Sequence, residues 1–228
     1  MTELLVIRHG ETDWNRQHRF QGQIDVPLND LGQMQAQRLA QRLAGEPIDA
    51  LVVSDLQRAR STAQGLAGQA AQLQVEPLWR EQSFGILEGL DVPTIQADHP
   101  NLWAQWTRHE ADYALPEGGE SNQDFFDRVQ RALAAVVAVH VGQRVVVVTH
   151  GGVLDMLWRR IKGLSLHGPR ECDIPNTGLN RLRWQDGRLH IVQWADAAHL
   201  RGLPEQPSTQ QRVHALGVSA RAAGPDGP

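Results

Sequence analysis

Short apolar runs alternate with longer stretches of helical periodicity along most of this chain. Strand-like runs fall at 3–8, 50–54, 73–77, 144–149, 179–185 and 189–194. Leu4-Leu5-Val6-Ile7 and Val145-Val146-Val147-Val148 carry no polar alternation, the pattern of strands buried on both faces of a parallel sheet. Residues 30–44 place Leu31, Met34, Leu39 and Leu43 at near-helical spacing, with Asn29 or Asp30 as the cap and Gly45 as the stop. Residues 56–69, 121–140 and 152–162 read as further helices; Ser121 and Asp124 have capping-box spacing at the start of the longest. The last two strands are split by Gln185-Asp186-Gly187, a hairpin signal. Strand alternating with helix predicts an α/β fold: a three-layer α/β/α sandwich, its central sheet mostly parallel with an antiparallel edge. One domain over 1–203 is expected, with 204–228, rich in Pro, Gly, Ala and polar residues, as a mobile tail.

Composition narrows the function classes. With 228 residues the chain can build one sizeable core, and 41% apolar with 21% charged residues is ordinary for a globular protein. A formal net charge of −4 offers no global attraction for nucleic acid or an anionic membrane, so any anionic ligand must be held by local positive charge. No apolar run approaches the roughly 20 residues of a membrane span. The start, Met-Thr-Glu running into a strand, lacks a signal-peptide pattern, so a cytoplasmic location is expected. One cysteine, Cys172, excludes an intramolecular disulfide and a metal-binding Cys pair; it reads as a buried or incidental thiol.

The two most apolar strands end alike, in Arg8-His9-Gly10 and in Thr149-His150-Gly151-Gly152. In open α/β sheets ligands bind beyond the carboxyl ends of the strands, so both histidines are expected in one crevice. His9 is a candidate nucleophile for phosphorus, provided that its second nitrogen is held as N–H by a carbonyl. His150 is a candidate donor to a non-bridging phosphate oxygen. Arg8 and Arg58 are candidate phosphate clamps, because a guanidinium offers paired donors and keeps its charge. Arg60, two residues on, is expected in solvent. Expelling an alcohol needs a proton, and either Glu81 or Glu88 could supply it. A metal site is the weaker reading, since no His-x-x-x-His pair or carboxylate cluster accompanies the histidines.

Taken together these residues resemble the histidine phosphatase superfamily, the family of phosphoglycerate mutases and histidine acid phosphatases. The resemblance is carried by LVIRHGETDWN (5–15), FQGQIDVPLNDLG (20–32), SDLQRARSTA (54–63), REQSFGILEG (80–89), PEGGES (116–121) and VVVVTHGG (145–152), in the family's order. It implies a phosphohistidine on His9 and a phosphate pocket of Arg8, Arg58 and His150, lined by Asn15, Gln21 and Gly22. It also implies that Glu81, rather than Glu88, is the proton donor.

Within the family the chain is similar to the compact, broad-specificity phosphatases. Cofactor-dependent mutases carry a longer insertion with basic substrate-binding residues after the proton donor. Here 82–149 is compact, with Arg108 the single arginine before the long helix. Phe84 stands where mutases typically have Tyr, and Gly152 where they typically have Asn. The expected activity is metal-independent hydrolysis of small phosphorylated metabolites, with no cofactor, no nucleic-acid or membrane partner, and a monomer or homodimer. A phosphoglycerate mutase and a non-catalytic phosphate-binding protein are the alternatives. The resemblance places 92–108 over the site as a roof, so Trp103 and Trp106 are candidates either for substrate contact or for packing within it; Trp158 and Trp184 are expected in the core.

Overall fold

The computed structural model describes residues 1–206, so most of the expected tail lies outside the described residues. Six strands form one sheet: β1 (Thr2–Arg8), β2 (Ile48–Val53), β3 (Ala70–Val75), β4 (Arg144–Thr149), β5 (Leu179–Gln185) and β6 (Arg188–Asp196), in the order β3-β2-β4-β1-β5-β6. The first four are mutually parallel, and β5 and β6 add an antiparallel edge. The helices are α1 (Asp13–Arg16), α2 (Asp30–Arg42), α3 (Gln57–Ala63), α4 (Val92–Asp98), α5 (Pro100–Trp106), α6 (Asn122–Val139) and α7 (Gly151–Lys162).

The apolar strands sort their side chains by period two. Leu4, Val6, Ala50, Val52, Val145 and Val147 face α6 and α7. Leu5, Ile7, Leu51, Val53, Val146 and Val148 face α2 and α3. Both faces are covered, which is why these runs lack polar alternation. The third cluster is separate from the sheet: Leu87, Ile95 and Leu115 gather Phe20, Phe84, Trp103, Trp106 and Tyr113 into a roof that includes α4 and α5.

Several elements differ from the pattern in instructive ways. Strand β3 lies at 70–75 rather than 73–77, because Pro77 opens a short 3₁₀ turn and the register with β2 runs from Ile48 opposite Ala70. Helix α3 ends at Ala63 and continues as a 3₁₀ turn over Gln64–Gln69, where Gly65 and Gly68 weaken an α-helix. On α2 the row facing the sheet is Leu31, Gln35 and Leu39, spaced four apart, and Met34 turns to solvent. Asn29 caps that helix, its Oδ1 accepting from Gly32 N at 2.8 Å. The roof segment is two helices, broken at His99-Pro100, with Trp103 and Trp106 both on the second. Asp186 and Gly187 both have positive φ (+52° and +74°), as a tight two-residue hairpin requires. Trp158 and Trp184 are half-buried at the margin of the α6–α7 core rather than inside it.

Ser121 and Asp124 form the capping box of α6, and Phe125 one residue later is wholly buried in the core. Chemical denaturation should separate the two contributions. Phe125→Ala should cost about 3–5 kcal/mol through the cavity it leaves, and Ser121→Ala about 1 kcal/mol through loss of the cap.

Candidate active site

Three adjacent strands end at one edge. The backbone N–H of His9 donates to Thr149 O (2.8 Å) and that of Ser54 to Val148 O (3.0 Å), so β1, β2 and β4 deliver His9, Ser54 and His150 side by side. Strand β4, the last of the parallel strands in the chain, lies between β1 and β2, and the crevice lies at this change of chain direction. The rings of His9 and His150 have centroids 5.2 Å apart, inclined at 56°. Both histidines are buried. Nδ1 of His9 lies 2.7 Å from Gly10 O, so that nitrogen carries the hydrogen and donates. Nε2 of His150 meets the Ser54 hydroxyl at 2.8 Å, and its Nδ1 is buried with no hydrogen-bond partner among the described residues. Burial, then the charge of Arg58 and the neighbouring His9, holds the His150 imidazole well below its ordinary pKa.

Arg58 is fully buried. Its Nη1 donates to Ile24 O (2.9 Å) and its Nη2 to Gly22 O (2.7 Å). Burial brings its pKa down to about 10, against the opposing pull of Glu81, Asp25 and Glu88, so it remains charged at neutral pH. Arg8 donates from Nη1 to Ile174 O at 2.8 Å. Arg60 is exposed. Asn15 and Gln21 are oriented by Thr12: its N–H and hydroxyl reach Asn15 Oδ1 (3.1 and 3.2 Å), and the hydroxyl also reaches Gln21 Oε1 (3.1 Å). The amide NH₂ groups are left for the cleft that both residues line.

The two candidate glutamates have different surroundings. Glu81 lines the cleft, and its carboxylate accepts from Gly152 N (3.1 and 3.0 Å) and Gln82 N (2.9 Å). Gly152 is in the first turn of α7, and a Cβ there would lie 2.1 Å from Glu81 Oε1. A side chain at 152 would displace the carboxylate. Glu88 instead ties two loops, its Oε1 accepting from Gln23 N (3.0 Å) and Phe84 N (2.9 Å). It packs against Gly22, whose φ of +49° and lack of Cβ permit the approach.

The structure thus gathers Arg8, His9, Asn15, Gln21, Gly22, Arg58 and Glu81 around one cleft of about 320 Å³, with buried His150 against His9. Trp106 lines this cleft and stacks on Trp103 behind it (centroids 5.2 Å, 25°). Sequence reasoning missed three contributors. Asn176 donates from Nδ2 to His9 O (2.8 Å), and its backbone is in turn held by Gln206. Ser54 sets the hydrogen bonding of His150. Arg128 donates to Leu78 O, Arg80 O and Glu81 O (each 2.9 Å) while paired with Glu120, and so fixes the loop carrying Glu81. None has a local signature, since each acts on a partner distant in the chain. Cys172 is buried, and burial pushes its thiol up to about 12. No helix among the described residues is long and apolar enough to cross a membrane.

Comparisons with known proteins agree with this geometry. The sequence profile of the histidine phosphatase superfamily (branch 1) matches residues 4–197. The chain is 39% identical over 202 residues to phosphoglycerate mutase-like protein 4 of Arabidopsis thaliana, covering 87% of this chain and 86% of that one. It is 37% identical over 204 residues to the metal-independent phosphoserine phosphatase of the same plant, covering 88% and 84%. Its structure superposes on YhfR of Bacillus stearothermophilus with a TM-score of 0.79 at 30% identity, over 88% of this chain and 100% of that one. With that profile spanning nearly all the described residues, and with the paired histidines at its strand exits, the chain belongs to the histidine phosphatase superfamily and is a phosphatase.

Proposed function

We propose that the protein hydrolyses phosphomonoesters of small metabolites through a phosphohistidine on His9, with no metal ion. The observation that carries this is the buried His9–His150 pair, 5.2 Å apart, at an edge that also holds two guanidinium groups. Donation from Nδ1 of His9 to Gly10 O leaves the lone pair on Nε2, the nitrogen that attacks phosphorus. Arg8, Arg58 and His150 hold the equatorial oxygens, with Asn15, Gln21 and Gly22 around them. A Ser54 hydroxyl donating to Nε2 of neutral His150 places the hydrogen on Nδ1, where it meets a phosphate oxygen.

In the first step a P–N bond to His9 forms as the ester P–O bond breaks, and Glu81 gives its proton to the leaving alkoxide. In the second, a water deprotonated by Glu81 attacks phosphorus, the P–N bond breaks, and inorganic phosphate leaves. The other carboxylates of the cleft are engaged by arginines: Glu120 by Arg128, Asp155 by Arg159 and Glu110 by Arg108. Glu81 is held by backbone N–H groups, which supports its assignment as the group that exchanges protons. Among the described residues no cluster of three or more His, Cys, Asp or Glu side chains is arranged to hold a metal ion, and the two guanidinium groups of Arg8 and Arg58 match the charge of a phosphate dianion.

Hydrolysis is favoured over a mutase reaction. Arg108, the arginine of the compact roof segment, is exposed and does not itself line the cleft; its ionic contact, to Glu110, is 3.8 Å long. A mutase must instead retain its phosphoenzyme and return the phosphate to substrate.

The decisive experiment is p-nitrophenyl phosphate turnover in excess chelator. Wild type should release phosphate and His9→Ala should not; an acid-labile phosphoryl group should be trapped on His9 in wild type. Chelator-sensitive turnover, or phosphate trapped on another residue, would overturn the proposal. Glu81→Gln should lower kcat/KM, which reports transfer to His9, about 10²–10⁴-fold on alkyl phosphates and far less on p-nitrophenyl phosphate, whose leaving group needs no proton. Gly152→Ala should follow the same leaving-group pattern, at a milder loss, because it moves the same carboxylate.

His150 also predicts an effect on stability. Its folded pKa is depressed, so below the unfolded value of about 6.5 the unfolded chain binds the extra proton. Stability is therefore lost as pH falls from about 6.5 toward the folded pKa, at up to about 1.4 kcal/mol per pH unit from this group. Urea titrations at pH 7 and pH 5 in phosphate-free buffer should show a smaller drop for His150→Gln than for wild type.

A further inference from the structure

We infer that Arg170 forms a second anion subsite, which selects phosphomonoesters whose alcohol carries a carboxylate close to the ester. The inference rests on the phosphatase reading above and names a substrate class for that site.

Arg170 lies in the segment after α7, and it lines the same cleft as Arg8, His9 and Arg58. Its place is defined by Gly151, the residue after His150. A Cβ on Gly151 would lie 3.2 Å from Nη1 of Arg170 and 3.5 Å from Nε of Arg8. The two guanidinium groups therefore flank one point at the edge of the phosphate pocket.

The segment that carries Arg170 is held there from both ends. Upstream, buried Arg159 donates to the carbonyls of Ser165, His167 (3.2 Å), Gly168 (2.9 Å) and Pro169 (2.7 Å). Downstream, Ile174 O accepts from Arg8. A buried arginine with four carbonyl partners immediately before Arg170 fixes the backbone from which that side chain projects.

Arg170 shares its counter-ion with a second arginine. Among the described residues it has no hydrogen-bond partner, and its ionic contact, to Asp155, is 3.9 Å long. Asp155 already pairs with Arg159 at 3.0 Å. The phosphate dianion is met by Arg8 and Arg58, while Arg159 and Arg170 share the single carboxylate of Asp155, which leaves one positive charge in excess in the wall. Arg19, also in the wall, instead packs over the Trp14 ring, 5.5 Å from its centroid. A single guanidinium with free paired N–H groups matches a carboxylate, whose two oxygens it can hold side by side.

The test uses two esters that differ in one group: 3-phosphoglycerate, and glycerol 3-phosphate, which has a hydroxymethyl in place of the carboxylate. Phosphate release is measured for wild type, Arg170→Met and Arg170→Lys, and the readout is the ratio of kcat/KM between the esters. That ratio does not depend on the fraction of enzyme correctly folded. Wild type should prefer the carboxylated ester, Arg170→Met should lower the ratio about ten- to a hundredfold, and Arg170→Lys should keep part of it. A merely structural Arg170 would move both esters together, so an unchanged ratio in Arg170→Met overturns the inference. A wild type with no preference, yet active on p-nitrophenyl phosphate, also overturns it while leaving the phosphatase reading intact. A wild type that releases phosphate from none of the three esters overturns the parent reading and the inference with it.

Discussion

A buried guanidinium must give its N–H groups to acceptors, and much of this cleft is organised by that demand. Arg58 takes the carbonyls of Gly22 and Ile24. Arg8 takes Ile174, Arg128 takes Leu78, Arg80 and Glu81, and Arg159 takes the turn from Ser165 to Pro169. Each arginine projects from a strand end or a helix, and each carbonyl belongs to a loop. The sheet and its helices thus hold the loops around the cleft through charge-assisted bonds to backbone. On the proposed reading Arg8 and Arg58 are the charges that meet the phosphate.

This arrangement reconciles the overall charge with the proposed chemistry. A net charge of −4 repels a phosphate ester at long range. At the site itself, buried positive charge acts in a low-dielectric setting where it counts for more. His150 completes the balance by remaining neutral. The same burial that makes its protonation costly leaves Nδ1 without a hydrogen-bond partner among the described residues, and in the proposed mechanism that nitrogen is the donor to phosphate. Arg58 resists the corresponding loss because a guanidinium titrates so high that even at about 10 it is charged.

Small residues matter where the chain must approach itself. Gly152 lets the Glu81 carboxylate rest on the first turn of α7, and Gly22 admits Glu88, which joins the loops on either side of the cleft. The roof behaves differently. Phe20, Phe84, Trp103 and Trp106 form a chain of ring contacts separate from the sheet's two cores. Phe20, Phe84 and Trp106 line the same cleft as Arg170, so on the proposed reading the leaving group meets both.

Much of this protein was legible in the residues themselves. Strands buried on both faces leave continuous apolar runs, so β1 and β4 stood out, and with them the histidines at their exits. The hairpin before β6 and the cap of α6 rest on neighbouring residues and were readable for the same reason. Strand β3 was misplaced by a few residues, since an exposed edge strand of alternating Gln and apolar residues has no burial pattern to mark its ends. Tertiary structure alone decided the rest. That Glu81 rests on Gly152 while Glu88 ties loops, that Asn176 holds His9, that Arg128 staples the loop of Glu81, and that Arg170 stands beside Arg8 all depend on partners dozens to more than a hundred residues away. Periodicity and local motifs report what a residue does to its neighbours in the chain; hydrogen bonds between distant loops exist only once the sheet has brought those loops to one edge.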